Sequence, residues 1–170
     1  VVQEGETLDQ IALKYKVPVD FLARINGVEA PYQLYPGETL KVIKGPFRAE
    51  LNSDKAEITV FLGRNYAGRF PARIGADLPA TAGEYEVVAK EPGREYFDRR
   101  TGMRVYRDDP SNPYGDYWIG LRGEQVTAAH NVGIHVDTGS PDSGCIAVSQ
   151  PDAADLNAIL SIGSRITVRR

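Results

Sequence analysis

A single cysteine among 170 residues excludes a disulfide within the chain, and by count alone it says nothing about compartment. Long apolar runs are also lacking. None approaches the roughly 18 residues that cross a bilayer as a helix, so no transmembrane segment is expected. No signal-peptide pattern opens the chain. Val1-Val2-Gln3-Glu4 reads as the middle of a strand, however, so residues ahead of Val1, an export signal among them, are expected in the natural protein. There is no excess of positive charge: the formal net charge is -3, and the nearest thing to a basic block is the terminal pair Arg169-Arg170. That excludes a nucleic-acid partner, which needs a basic face. Internal repeats and low-complexity tracts are absent too.

What is present is turn-rich and strand-rich. Seventeen Gly and eleven Pro punctuate recurrent Val, Ile, Thr and Tyr, a pattern of many turns between strands. Residues 1–44 read as a unit of their own. Thr7-Leu8-Asp9-Gln10 fits a capping box, and Leu8, Ile11, Ala12 and Tyr15 share one face of a short helix. Pro18 suits the first turn of a second helix with Leu22 and Ile25 on its apolar face, and Asn26-Gly27 stops it. With strands expected at 1–3 and 39–43, the order is βααβ around a core of Val2, Leu8, Ile11, Leu22, Ile25 and Leu40. A unit of about 44 residues sits near the lower limit of independent folding.

Lys44-Gly45-Pro46 makes a linker too short for free tumbling, so the two parts are expected to touch. Residues 48–170 then alternate strands and turns: strands at 57–62 and 66–74 around Gly63-Arg64-Asn65, and others at 84–89, 117–121, 133–136, 145–148 and 165–168. The polar stretch 90–113 reads as a long loop or loose hairpin, a length that is often functional. Ser149-Gln150-Pro151-Asp152 caps a helix carrying Leu156, Ile159 and Leu160. The fold class is therefore α+β: a small βααβ unit, then a mainly-β sandwich or barrel with one helix near the C-terminus.

Two readings of Cys145 stand side by side. A free cysteine is commonly a small buried hydrophobe. Here, though, Ser143-Gly144-Cys145-Ile146 places it after a glycine at the start of an apolar strand. Successive N–H groups at such a turn can hold an oxyanion. Gly133-Ile134-His135 ends another strand ten residues earlier, where His135 could take the thiol proton as general base. His130 reads as a surface or strand-edge residue. Trp118 and Tyr117 are candidates to line a substrate cleft, with core packing the alternative for one of them, since alternate strand residues face opposite ways. Arg94, Arg99 and Arg100 could bind acidic groups or form a solvated loop face. Asp137 and Asp142 could orient His135 or lie on the loop surface. The histidine precedes the cysteine and both lie late in the chain, which sets aside a papain-like protease.

Two resemblances sharpen this. Gly5-Glu6-Thr7-Leu8, Ile11-Ala12, Asn26-Gly27 and Pro36-Gly37-Glu38-Thr39-Leu40 resemble the LysM module, with Glu6 in place of the usual Asp. The resemblance implies binding of N-acetylglucosamine-containing glycan in a shallow groove at Gly5, Glu6, Thr7 and Leu8 with Pro31, Tyr32 and Gln33. Residues 48–170 resemble the YkuD-type L,D-transpeptidase catalytic domain through several segments. These are Thr81-Ala82-Gly83-Glu84-Tyr85, Asn112-Pro113-Tyr114-Gly115, Gly133-Ile134-His135, Asp142-Ser143-Gly144-Cys145-Ile146, and a tail with Asp152-Ala153, Leu156, Gly163-Ser164, Ile166 and Val168. The chain departs from the family pattern at Val136 (usually Gly), Asp142 (usually Ser or Thr) and Ala147 (usually Arg), and its His-to-Cys interval is shorter than usual.

The resemblance implies a transferase of cell wall biogenesis and cell shape. Cys145 would be acylated by a peptidoglycan stem peptide and His135 would serve as base then acid. The N–H groups of Ser143, Gly144 and Cys145 would form the oxyanion hole, and the acceptor amine of another stem would leave a 3→3 cross-link. No cofactor and no metal are expected. The protein is expected to be a secreted monomer of the periplasm or cell wall. Water as acceptor (an L,D-carboxypeptidase), a protein amine, or a non-catalytic wall-binding protein with a degenerate site are the alternatives.

Overall fold

A computed structural model of the chain describes residues 1–75, 82–98, 101–123, 132–139 and 146–170. The N-terminal part holds two short helices, α1 (Leu8–Tyr15) and α2 (Val19–Asn26). The capping box forms as the sequence predicts: the Gln10 amide N–H donates to Thr7 Oγ1 and the Thr7 N–H donates back to Gln10 Oε1. Pro18 sits one place earlier than predicted, as the N-cap of α2, and Gly27 ends that helix at φ 66°, a conformation that glycine adopts without steric cost. Val2, Leu8, Ile11 and Leu22 are buried, with Ile25 and Leu40 packed against them.

The two strands expected in this part are a correction. Residues 1–3 and 39–43 carry no regular strand. Val2 exchanges two backbone hydrogen bonds with Glu38 and Gly37. Beyond that, a side chain replaces the ladder. Asn26 Oδ1 accepts from the Lys41 N–H and Asn26 Nδ2 donates to the Lys41 carbonyl. One amide therefore satisfies both polar groups of Lys41, which strand pairing would otherwise have had to do.

The C-terminal part contains β1 (Phe47–Asn52), β2 (Glu57–Leu62), β3 (Asn65–Ile74), β4 (Gly83–Glu91), β5 (Tyr96–Phe97), β6 (Arg104–Val105), β7 (Trp118–Gly123), β8 (Val132–Val136), β9 (Ile146–Val148), α3 (Gln150–Ile159) and β10 (Arg165–Arg169). Eight of these strands close a barrel in the order β1-β10-β4-β7-β8-β9-β3-β2, while β5 and β6 form a separate small hairpin inside the expected long loop. Ser149 caps α3, its Oγ accepting from the Asp152 N–H.

Register explains what the barrel wall presents. Partners directly across from one another share a face. One such row runs Lys90–Ile119–Ile134–Ile146–Ile74 across β4, β7, β8, β9 and β3. Its three central isoleucines are fully buried. The neighbouring row, one residue along each strand and so on the opposite face, reads Glu91–Trp118–His135–Ala147–Arg73.

The two parts touch. Phe21 meets Phe47 edge to face at 5.2 Å between ring centres, Arg24 pairs with Asp155 at 2.6 Å, and the Gly45 N–H donates to the Tyr15 carbonyl. A Cβ at Gly45 would fall on the Lys16 carbonyl oxygen, so the linker is pressed against the end of α1. Burial pushes the Lys90 ammonium below its ordinary pKa, with Asp20 acting the other way.

Candidate active site

The row Trp118–His135–Ala147 is a polar and aromatic strip in an otherwise aliphatic wall. His135 lies on β8 and is fully buried. Its Nδ1 is 2.8 Å from the carbonyl oxygen of Val136. A carbonyl can only accept, so Nδ1 carries a proton, and whenever the ring is neutral Nε2 holds the basic lone pair. The orienting group belongs to the backbone, which any residue supplies, so valine at 136 keeps it. The Val136 side chain is accommodated by Gly115, where a Cβ would come within 2.7 Å of the valine Cβ.

Trp118 lies beside His135, with ring centres 6.1 Å apart and planes 13° apart. Gly133 makes this possible: a Cβ there would lie 2.5 Å from the indole. Tyr114 packs on both rings, 4.6 Å from Trp118 and 5.1 Å from His135, and Tyr96 meets Tyr114 at 5.3 Å. Arg94 places its guanidinium carbon 4.9 Å over the Trp118 ring. These groups come from the 92–117 loop, whose hub is Asn112, only 2% exposed. Asn112 Nδ2 donates to the carbonyls of Arg94 and Tyr106, and its Oδ1 accepts from the Tyr114 N–H. A buried amide stays in such a place only when its hydrogen bonds are made.

At the other end of the row, Arg73 faces Ala147 across β3 and β9. Its guanidinium grips Asp137 with two hydrogen bonds of 2.8 and 3.0 Å. The Arg73 hydrogen bonds hold the Asp137 carboxyl down to about 2, helped by the Gly139 N–H and by the charges of Arg73 and His135, with partial burial opposing. The Asp137 N–H donates to the Val148 carbonyl and Thr138 Oγ1 donates to the Pro113 carbonyl. The chain leaving β8 is thus tied to β3, β9 and the 92–117 loop.

Of the residues singled out in the sequence, His135 and Trp118 come together. Tyr117 instead packs against the core. Cys145, Gly144 and Ser143, with Asp142, His130, Thr81, Arg99 and Arg100, lie outside the described residues. In the N-terminal part Gly5 has φ 77° and Thr7 is the exposed cap of α1. Leu8 is 1% exposed, so neither its side chain nor its backbone is open to a ligand. Tyr32 is half-buried, with its hydroxyl donating to Asp20 at 2.6 Å. Among the described residues no cluster of His, Cys, Asp or Glu is placed to hold a metal, and no helix is long and apolar enough to cross a membrane. Sequence reasoning missed the roles of Asn112, Tyr114 and Gly133. All three stood in recognised segments, but their contacts depend on register and loop path.

Comparison with known proteins places these features. A model of the LysM domain matches residues 1–42, and a model of the L,D-transpeptidase catalytic domain, YkuD, matches residues 47–168. A Bacillus subtilis (strain 168) protein named "Putative L,D-transpeptidase YkuD" is 24% identical over 179 residues, covering 99% of this chain and 97% of that protein. A Bacillus licheniformis protein of the same name is 24% identical, covering 98% and 96%. Among solved structures, Mycobacterium tuberculosis L,D-transpeptidase 1 superposes with a TM-score of 0.52 at 18% identity, covering 76% of this chain and 64% of that one. L,D-transpeptidase 3 of the same organism, in complex with a faropenem-derived adduct, gives 0.56 at 19% identity, with 74% and 60% covered. The chain spans less than two thirds of either solved chain, and at these identities the likeness is one of fold.

Proposed function

The chain belongs to the YkuD family of L,D-transpeptidase catalytic domains, with a LysM domain ahead of the catalytic one; from that premise we propose that it transfers peptidoglycan acyl groups through a thioester on Cys145, with His135 as base. The observation that carries the reading is the register of β8 and β9. Ala147 lies directly opposite His135, and Cys145 is two residues before Ala147. The start of β9 at Ile146 thus lies beside Ile134, the residue next to His135, and Cys145 immediately precedes Ile146 in the sequence. A histidine whose Nδ1 is fixed on a carbonyl presents a basic Nε2, which is what activation of a thiol needs.

The chemistry balances as two acyl transfers. His135 Nε2 takes the Cys145 proton. The thiolate adds to the carbonyl at the third residue of a stem tetrapeptide, and the backbone N–H groups of Ser143, Gly144 and Cys145 are the proposed oxyanion donors. Collapse expels the terminal D-alanine amine, which takes the proton from His135 and leaves a thioester. The side-chain amine of a second stem attacks, gives its proton to His135 and restores the thiolate, leaving a 3→3 cross-link. Water in place of that amine gives the L,D-carboxypeptidase reaction by the same steps, and a protein amine would anchor a protein to the wall.

The LysM domain, within 1–44, would hold the N-acetylglucosamine-containing glycan through the backbone of Gly5, Glu6 and Thr7 and the Tyr32 loop. The catalytic unit, 48–170, would then work at a raised local concentration of stem peptides. On this reading the protein would act at the cell wall.

Incubation with a carbapenem followed by intact-protein mass measurement tests the nucleophile. One adduct is expected on the wild type and none on Cys145→Ala; a wild type that takes up no adduct overturns the reading. Mass spectrometry of products from tetrapeptide muropeptides separates acceptors: dimers support cross-linking, and tripeptide alone sinks that part in favour of water.

A further inference from the structure

We infer that Arg94 is the residue that binds a carboxylate of the donor stem peptide and so sets the enzyme's preference for anionic over amidated donors; this rests on the reading of the site given above. The Trp118–His135–Ala147 row ends on Arg73 at one side and on Glu91 at the other, and Arg94, from the loop after β4, lies over Trp118 at the Glu91 side. Arg73 is spoken for, with both arms of its guanidinium on Asp137. Arg94 makes only a longer ion pair, with Glu91 at 3.7 Å, beyond hydrogen-bonding distance. Among the described residues its guanidinium makes no hydrogen bond. It does lie 4.9 Å over the Trp118 ring, with its side chain 31% exposed.

An arginine over an aromatic ring offers its charge to the ring and keeps its N–H donors for a planar anion such as a carboxylate. Left in water, such a side chain gains little from an exposed pairing and loses rotamer freedom. Here the fold holds it in place. Gly93, at φ 83°, brings the loop to within 3.3 Å of the Gly115 carbonyl, measured from an ideal Cβ. The buried Asn112 fixes the Arg94 carbonyl and the Tyr114 N–H together. Tyr114 in turn packs on Trp118 and His135. One buried amide thus sets the position of a cation with unused donors one ring away from the proposed base. A peptide whose scissile carbonyl reaches His135 would bring its own carboxylates to this edge. At the other end of the row the Arg73 guanidinium is already taken by two hydrogen bonds to Asp137, whereas Glu91, at 3.7 Å, leaves the donors of Arg94 without one.

Trp118 is the chain's one tryptophan, so its fluorescence reports on this spot without any turnover. The experiment titrates Cys145→Ala protein with a stem tetrapeptide carrying its free carboxylates, and with analogues in which one carboxylate at a time is a carboxamide. Binding is followed by Trp118 emission and by calorimetry. Amidation at one position is expected to weaken binding by about 10- to 100-fold, the size of a lost charge-assisted pair, and the analogue that does so identifies the carboxylate. Arg94→Gln in the same background should weaken binding of the free peptide by a similar factor and no longer distinguish it from that amide. Arg94→Lys, which keeps the charge without the fork, should fall between them. An Arg94→Gln protein that still discriminates carboxylate from carboxamide overturns the inference. So does a Cys145→Ala protein that binds none of these peptides. In either case, carbapenem adduct formation on the wild type decides separately whether the proposed function itself stands.

Discussion

Gly133 and Asp137 show how single residues shape the site in ways that can be measured. Gly133 leaves the space that the Trp118 indole fills, since a Cβ would meet it at 2.5 Å. The indole cannot bend away, because it is fully buried. Gly133→Ala is therefore expected to cost about 1–3 kcal/mol by overpacking and to change Trp118 emission in the ligand-free protein; urea denaturation and fluorescence check both. An unchanged spectrum would mean that the ring has room to spare. Asp137 gives a pH prediction. Its carboxyl titrates at about 2 in the folded protein and near 3.9 when unfolded. A depressed carboxylate stabilises the fold above its unfolded pKa, and that stability is lost as pH falls through the folded value. Asp137→Asn should thus be less stable than wild type at neutral pH. The pair is partly exposed, with side-chain exposures of 35% and 31%, so the difference should be of order 1 kcal/mol or less. It should shrink below about pH 4 and vanish near pH 2. Denaturation midpoints measured across that range test it; a difference that persists at pH 2 would show that Asp137 acts through something other than its charge. At this scale the sequence was readable for identity and poor for contact. His135 and Trp118 could be named from their segments. That Trp118 rather than Tyr117 faces His135 was left open, because it follows from which strand face meets the loop.

The strands and helices were largely legible, because their signals are local. A capping box, a proline before α2, the Gly63-Arg64-Asn65 turn between β2 and β3 and a serine cap on α3 each act within a few residues. The failures were non-local. The strands expected at 1–3 and 39–43 gave way to a side chain, Asn26, whose reach across 15 residues to Lys41 leaves no periodic trace. The stretch 90–113 was legible as a long polar loop or a loose hairpin, but the short β5–β6 pairing and the buried hub Asn112 inside it were not. Its importance can be tested at the level of the element. Asn112→Ala would strand the Arg94 and Tyr106 carbonyls and the Tyr114 N–H. Leaving buried polar groups without partners costs about 1–3 kcal/mol. Since these partners belong to the loop and not to the barrel ladder, the loss should appear as faster amide exchange across 94–116. The β7 and β8 amides should keep their protection. Carbapenem acylation should slow in the same variant. Equal loosening of loop and barrel would show that Asn112 supports the whole fold and has no special part in the site.

At the scale of the molecule the question is whether the LysM domain and the barrel act as one body. The linker Lys44-Gly45-Pro46 suggested contact, and the structure gives that contact a form that composition could not. The exposed Arg24–Asp155 pair, 64% and 40% exposed, contributes little on its own. The apolar contact of Phe21 with Phe47 and the pressed linker matter more. Gly45 donates to Tyr15 and has no room for a Cβ, which would overlap the Lys16 carbonyl. The obstacle is backbone, so it cannot swing aside as a flexible side chain would. Gly45→Ala should therefore push the module off the barrel while leaving both cores intact. In scanning calorimetry the wild type is expected to unfold in one transition, since the small module borrows stability from the interface. The variant should show an earlier transition for the module and an unchanged one for the barrel. The functional consequence separates tethering from chemistry. Acylation of the variant by a soluble carbapenem should match wild type, because the row from Trp118 to Arg73 is untouched. Turnover on intact peptidoglycan should fall, because a loosely joined module concentrates the barrel on its substrate less effectively than a docked one. If the variant works on intact wall as fast as wild type, the docking has no part in function and the LysM domain acts only as a tether.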